Sequence, residues 1–170
     1  AEAVSDIQKS NSKKPGLIAV LSISLFEIPA SALSDDGNFL LNIGPGPTGD
    51  FDPVAYERLK AIGEWMKING EGIYQSQPIA PYSSGNVFFT QNKSDKTVFA
   101  FYLANENENI IPATAVIKNF SLTKGAKISI FGAPSNLKWQ AVGGDILISI
   151  PKKIQQQLPG QYAWCFKIKQ

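Results

Sequence analysis

Two residue counts limit the chemistry that this sequence can perform. The chain contains no histidine and a single cysteine among its 170 residues. Without histidine, a histidine-dependent catalytic triad, a histidine general base or a zinc site of the usual kind is impossible within this chain. Cys165 lies in an apolar run, which predicts a buried and unreactive thiol.

The composition is that of an ordinary globular protein and excludes some partners. Hydrophobic residues make up 44% of the chain, charged residues 18%, and the net charge is +2. The lysines are scattered along the chain, which indicates solvated surface and no nucleic-acid partner. The apolar run at residues 17–26 follows Lys13 and Lys14 as in a secretory signal, but Glu27 and Pro29 interrupt the pattern. We expect a buried strand or helix there, because spanning a membrane needs about 20 residues.

A strand followed by a loop is predicted in the first half of the chain. Residues 39–43 are apolar on both faces, which is typical of a parallel strand covered by helices. The Gly-Pro-Gly-Pro sequence at residues 44–47 ends the strand, because proline has no N–H to donate and fixes φ.

A well-capped helix is predicted after this loop, over about residues 53–68. Asp52 is the expected N-cap, and Pro53 occupies the first helical position, where its missing N–H costs nothing. Asn69 and Gly70 predict a left-handed exit. Four residues fall on one apolar stripe, which predicts that the helix packs by one face: Ala55, Leu59, Ile62 and Met66.

The second half of the chain has the pattern of a β-sandwich. Several of its short apolar runs alternate with period two, and turn signals separate them. The predicted strands are residues 87–90, 97–103, 115–117, 127–131, 145–150 and 162–168. Antiparallel strands of this number and length indicate two packed sheets. The expected domains are therefore residues 1–72 and residues 73–170.

Two stretches resemble a known family. "GNFLLNIGP" at residues 37–45 and "ERLKAIGEWMKINGEGIY" at residues 57–74 resemble the end of the barrel in α-L-fucosidases of glycoside hydrolase family 29. Residues 98–101 and 148–153 are similar to the C-terminal sandwich of that family. The resemblance covers roughly residues 33–170.

The resemblance implies a (β/α)8 barrel hydrolase that cleaves terminal α-L-fucose with retention of configuration. Its nucleophile and acid/base are expected on earlier strands, so no catalytic residue is expected in this chain. The implied fold is the last strand–helix unit of an α/β barrel followed by an antiparallel β-sandwich, mostly β overall.

The sequence also departs from the family pattern. Thr48, Gly49 and Asp50 stand where family members usually have Asp-Gly. Residues 25–38 follow the family's preceding helix only loosely, and residues 1–23 match no part of it.

A search for a catalytic carboxylate pair supports the expectation of an inactive chain. Retaining glycoside hydrolysis needs two carboxyl groups about 5–5.5 Å apart. Asp35 and Asp36 precede the strand, at the barrel face that serves stability. Asp50 and Asp52 follow it, but the loop and the helix cap account for them. Solvated or outward positions are expected for Glu64, Glu106 and Glu108.

Some residues are expected near substrate if the barrel placement holds, because the loop then lies at the rim of the active-site face. These substrate-proximal candidates are Asn42, Gly44, Pro45 and Thr48. Asn42 has an alternative role as a buried amide bonded to a neighbouring strand. Trp65 and Trp139 are expected in the packed core rather than as sugar-stacking platforms.

The expected function is that of the C-terminal portion of an α-L-fucosidase, acting on a fucosylated glycan or oligosaccharide. The alternatives are a non-catalytic sandwich module that binds carbohydrate and a purely structural interaction domain. The apolar surface of the strand–helix unit is expected to be covered by residues 17–28, by a second copy of the chain, by a crystal neighbour or by the rest of the barrel. No cofactor or metal is expected, and the resemblance suggests an exported protein that is periplasmic, secreted or lysosomal.

Overall fold

A computed structural model of the chain describes residues 43–105, 108–158 and 162–170. Several predictions fall outside these residues: the strand at 39–43 apart from Ile43, the apolar run at 17–26, and the side chains of Asp35, Asp36, Asn42 and Glu106.

The described residues form two α-helices, one 3-10 turn and eight strands. Helix α1 spans Pro53–Asn69 and runs into the 3-10 turn Gly70–Gly72, and helix α2 spans Lys152–Gln157. The strands are β1 Ser76–Ser84, β2 Val87–Asn92, β3 Val98–Leu103, β4 Thr114–Ile117, β5 Lys127–Ile130, β6 Ala133–Val142, β7 Asp145–Ser149 and β8 Ala163–Lys169. In the described part of the chain, neither helix has the length and hydropathy needed to cross a membrane.

The eight strands form one continuous antiparallel sheet, which bends at β6 into two layers. Their order is β1-β2-β3-β8-β5-β6-β7-β4. The first part of β6 pairs with β5 and its second part pairs with β7, so β6 passes from one layer to the other. Inward side chains of both layers share one core, which confirms the predicted β-sandwich. The largest of these buried side chains include Phe89, Phe166, Ile117, Ile128, Ile146 and Ile148.

Helix α1 begins as the sequence predicts and ends differently. The Asp52 carboxylate accepts a hydrogen bond from Val54 N at 2.8 Å, and Pro53 is the first helical residue. The predicted left-handed exit at Gly70 is wrong, because Gly70 has φ of −59° and continues into the 3-10 turn. This continuation carries Gly72 against the sheet.

The C-terminal half of α1 packs on the outer face of the larger layer. Ile62 and Trp65 contact apolar side chains of β3 and β8, and Trp65 Nε1 donates to the carbonyl of Ala163 at 2.8 Å. The side chains under the helix and its turn are Phe88, Phe99, Phe101, Leu103, Ala163 and Cys165. Part of the predicted stripe does not share this contact, since Leu59 stays 37% exposed.

Two strands, β1 and β6, were not predicted. Strand β1 contains Pro78 and Pro81, which normally argue against a strand. It lies at the edge of the sheet, where a missing N–H is tolerated, and its pairing with β2 is irregular between Pro78 and Ser83. Strand β6 is rich in polar residues because much of it faces solvent, which weakens its apolar alternation.

Two glycines provide a test of how closely the 3-10 turn after α1 packs against the sheet. A Cβ at Gly72 would lie 2.7 Å from Phe101 Cζ, whereas a Cβ at Gly63 in α1 would meet nothing within 4 Å. We therefore expect Gly72→Ala to lower the free energy of unfolding by about 1–3 kcal/mol through overpacking. Gly63→Ala should raise it by about 0.5–1 kcal/mol through helix propensity. Urea unfolding of both variants measures this, and changes of the same sign would contradict the packing seen at Gly72.

Candidate functional site

The loop that leads into α1 is a compact, exposed turn. Gly46 N donates to the carbonyl of Asp50 at 2.7 Å, and Gly49 N donates to the carbonyl of Gly46 at 3.0 Å. Gly49 has φ of +84°, a conformation that a side chain would strain. The chain therefore closes on itself between residues 46 and 50 before the helix begins.

Asp50 connects this loop to the helix. One of its carboxylate oxygens accepts hydrogen bonds from Phe51 N at 2.8 Å and from the hydroxyl of Tyr56. Tyr56 lies in the first turns of α1, and its ring also contacts the ring of Phe51, with centroids 5.8 Å apart. A single side chain thus fixes the loop to the start of the helix.

The hydrogen bond shifts the titration of both partners. The Tyr56 hydroxyl and then Phe51 N stabilise the carboxylate form of Asp50, so the pKa of Asp50 lies below its usual value. Because the same hydrogen bond favours the protonated phenol, the pKa of Tyr56 is raised above 10.0. At neutral pH both groups are in the forms that bond: an anion as acceptor and a phenol as donor.

The substrate-proximal residues named from the sequence are only partly placed. Gly44, Pro45 and Thr48 lie together in the exposed part of this loop. Asn42 lies outside the described residues.

Two other acidic side chains, Glu71 and Glu108, take part in structural contacts. Glu71 in the 3-10 turn forms an ion pair with Lys167 of β8 at 2.5 Å. Glu108 accepts from Asn105 N at 3.0 Å and so closes a turn of the sandwich. Among the described residues, no group of three or more histidine, cysteine, aspartate or glutamate side chains could hold a metal ion.

Cys165 and the three tryptophans are buried or packed against the apolar cores of the fold. Cys165 is fully buried, and this burial, with a smaller contribution from the charge of Glu71, raises its pKa well above 9.0. Its predicted inert character is therefore supported by its environment. Trp139 packs against the main core and donates to the carbonyl of Ala126 at 2.8 Å, and Trp164 is 3% exposed. The side chain of Trp65 packs between α1 and the sheet, so the expected core positions of Trp65 and Trp139 are confirmed.

Comparison with known families identifies the chain. A family model described as alpha-L-fucosidase matches residues 23–71, and one described as alpha-L-fucosidase C-terminal domain matches residues 81–169. The chain belongs to the α-L-fucosidase family. The first match ends in the 3-10 turn after α1, and the second covers most of the sandwich of this α-L-fucosidase family member.

Curated relatives agree with the family match and are much longer than this chain. The tissue alpha-L-fucosidase of Mus musculus is 35% identical over 148 residues, which are 85% of this chain and 31% of that protein. The alpha-L-fucosidase of Branchiostoma floridae is 34% identical over 149 residues, which are 85% of this chain and 32% of that protein. The chain thus spans about a third of the length of the relatives that it matches.

Solved structures share the fold. A Thermotoga maritima alpha-fucosidase in complex with a mechanism-based inhibitor superposes with a TM-score of 0.72 at 23% identity, over 87% of this chain and 34% of that one. An alpha-L-fucosidase of family GH29 from Bacteroides thetaiotaomicron gives a TM-score of 0.65 at 21% identity, over 87% of this chain and 32% of that one.

Tyr56 was not among the residues singled out from the sequence of this α-L-fucosidase family member. Asp50 was explained only as a loop residue, and Tyr56 lies off the apolar stripe of the helix. One sequence signal was available: Phe51 at N′ and Tyr56 at N4 have the spacing of a hydrophobic staple, and their rings are in contact. This signal is recognisable once Asp52 is assigned as the N-cap, because the cap defines the N′ and N4 positions.

The titration of Tyr56 provides a direct test of the Asp50–Tyr56 hydrogen bond. Because the pKa of Tyr56 is raised, the bond makes its whole contribution to stability at pH values below the ordinary phenol pKa of about 10. That contribution is lost as the pH rises through the raised pKa. The lowered Asp50 pKa means that the contribution is also lost in acid, as pH falls through that value. Asp50→Ala should therefore lower the pH at which the Tyr56 phenol ionises.

Phenolate absorbance, corrected by subtracting the Tyr56→Phe titration, isolates this one tyrosine. Tyr74→Ala is the matched control, because Tyr74 is 64% exposed and lies beyond the other end of α1. An unchanged Tyr56 midpoint in Asp50→Ala would show that the hydrogen bond does not form in solution.

Proposed function

We propose that this chain is the C-terminal portion of a retaining exo-acting α-L-fucosidase that hydrolyses terminal α-L-fucose from glycans. The observation that carries the proposal is the order of the two family matches, residues 23–71 and then residues 81–169, on a chain that spans 31% of the mouse relative. The relatives named as alpha-L-fucosidases supply the substrate class, and the carboxylates of the reaction are then expected in the part of the protein before this chain.

The proposed arrangement has two parts. Residues 1–72 form the end of the catalytic barrel and residues 73–170 the C-terminal sandwich. The loop before α1 is then a strand-to-helix loop at the barrel face where active sites lie. Asn42, Gly44, Pro45 and Thr48 are accordingly proposed as substrate-proximal residues.

Exposed apolar side chains on and just before α1 support the proposal that elements of a barrel pack against the start of this helix. Four large apolar side chains at and before the first turns of the helix are at least 36% exposed: Phe51, Val54, Tyr56 and Leu59. They lie beyond the part of the helix that the sandwich covers, since the contacts with the sheet begin at Ile62. In a (β/α)8 barrel the outer helices pack on the strands, so the rest of the barrel is the proposed partner of this surface.

The alternative of a carbohydrate-binding module receives less support. Such a module would present two or more exposed aromatic rings on one sheet face. All three tryptophans of the chain lie within the described residues, and each packs in a core or under the helix. The exposed tyrosines Tyr74 and Tyr82 lie in separate segments, one after the 3-10 turn and one in β1.

Export from the cell is proposed for the whole protein. The relatives include a plasma alpha-L-fucosidase of Homo sapiens, 27% identical over 145 residues, as well as tissue enzymes. A secreted, periplasmic or lysosomal location would fit these names. No cofactor or metal is part of the proposal, because two carboxyl groups suffice for retaining hydrolysis.

Activity measurements test the proposed function. The 170-residue chain should release no aryl group from an aryl α-L-fucoside, because the catalytic carboxylates are proposed to lie in the part of the protein before this chain. The full-length protein, expressed from the first codon of the reading frame that encodes this chain, should hydrolyse the same compound. The matching β-D-galactoside serves as the specificity control. Turnover by the 170-residue chain, or none by the full-length protein, would contradict the proposal.

A charge on the exposed side of α1 tests the proposed barrel contact. Leu59 is 37% exposed, so Leu59→Arg should change the unfolding free energy of the 170-residue chain by less than about 0.5 kcal/mol. In the full-length protein the same change buries an unpaired charge, and a loss of about 2 kcal/mol or more is expected.

Glu64→Arg is the matched control, since Glu64 is an exposed residue on the polar side of the same helix. It should have little effect in either form. Equal effects of Leu59→Arg in the two forms would mean that nothing covers this surface.

A further inference from the structure

The loop before α1 is braced by its own residues. The carbonyl of Asp50 accepts from Gly46 N, and its carboxylate accepts from Phe51 N and the Tyr56 hydroxyl. Both oxygen-bearing groups of Asp50 are therefore used to hold the loop. Tyr56 is the partner that lies on the helix, so its hydroxyl is the link between the loop and the rigid part of the fold.

The composition of the loop makes this link important. Residues 44–49 contain Gly44, Gly46 and Gly49, and glycine loses more conformational freedom on ordering than any other residue. Pro45 and Pro47 have no N–H, so few donors remain to tie the loop internally. A loop that is ordered before substrate arrives does not subtract its ordering cost from the binding free energy.

We propose that Tyr56 is a positioning residue for substrate, which acts by holding Asp50 so that residues 44–49 keep the shape in which they contact the fucoside. The inference rests on the proposed function, because only a barrel gives this loop an active site to border. Within the loop, Thr48 is exposed and carries the side-chain hydroxyl that can meet a sugar hydroxyl. Tyr56 itself does not touch the reacting atoms.

This role predicts an effect on KM and not on kcat. In the proposed enzyme the carboxylates that make and break the glycosidic bond belong to barrel strands before this chain, so the Tyr56 hydroxyl does not position them. Loss of the hydroxyl frees the loop in the unbound protein, and substrate must then order it. Weaker binding of substrate and transition state by the same factor raises KM and leaves kcat unchanged.

The experiment compares variants in the full-length protein with an aryl α-L-fucoside as substrate. Tyr56→Phe keeps the ring against Phe51 and removes only the hydroxyl; it should raise KM about three- to ten-fold and keep kcat within about two-fold. Asp50→Asn retains an acceptor oxygen for both donors and should have a smaller effect on KM, whereas Asp50→Ala should have the largest. Tyr74→Phe, at the far end of α1, should match the wild type.

Urea unfolding of each variant accompanies the kinetics, because losing this one exposed hydrogen bond should lower the unfolding midpoint only slightly. If Tyr56→Phe does not fold, the difference between Asp50→Asn and Asp50→Ala in KM decides the question. An unchanged KM in Tyr56→Phe, or a fall in kcat without a change in KM, would overturn the inference and leave the proposed function intact. A full-length wild type that does not hydrolyse the fucoside would remove the proposed function and this inference together.

Discussion

Burial of β3 on both faces is the constraint on which the rest of the arrangement depends. All six residues of β3 are buried. Val98, Ala100 and Tyr102 face the core between the two layers, whereas the alternate residues face outward toward α1. An outer face of this kind, with aromatic side chains, is not stable in water, so the sheet requires a covering element. Helix α1 and its 3-10 turn are that element.

The seating of this helix depends mainly on packing. Burying one phenylalanine side chain contributes about 1.5–3 kcal/mol, and both Phe99 and Phe101 lie under the helix and its turn. The Glu71–Lys167 ion pair joins the same two elements, but Glu71 is 49% exposed, and pairs of this kind contribute about 0–1 kcal/mol. The family matches end at residue 71 and resume at residue 81, yet the contacts do not stop there. Helix α1, its 3-10 turn and the sandwich therefore form one packed unit.

Features set by local sequence signals were predicted correctly, whereas features set by tertiary contacts were not. The Asp52 cap and Pro53 act within one turn, so the start of α1 followed from the sequence. At Gly70 the local preference for a left-handed exit was overridden, because the 3-10 turn places Gly72 beside Phe101. The edge position that permits prolines in β1 is likewise a property of the sheet order and not of the strand itself.

The candidate site was predictable to a similar extent. Its location followed from the strand, the Gly-Pro loop and the helix cap, which are all sequence features. The Asp50–Tyr56 bond was not foreseen, because an exposed tyrosine on a helix has many possible partners and the sequence alone does not rank them. What decided the partner was the closed turn between Gly46 and Asp50, which only the folded backbone reveals.

The loop is far from the residues by which α1 packs on the sandwich, which explains why a second contact that fixes the loop is useful. The apolar contacts of α1 with the sandwich begin at Ile62, ten residues after Asp52, so about 15 Å of helix at 1.5 Å per residue separates them from the loop. Over this length a tilt of about 4° moves the loop by about 1 Å, so the loop needs a restraint closer to it than Ile62. Packing at Ile62 and Trp65 limits the tilt, but it does not fix the loop relative to the helix. The Tyr56 hydroxyl supplies that second restraint, and in the proposed enzyme the strands of the barrel would support the first turns of α1 from the other side.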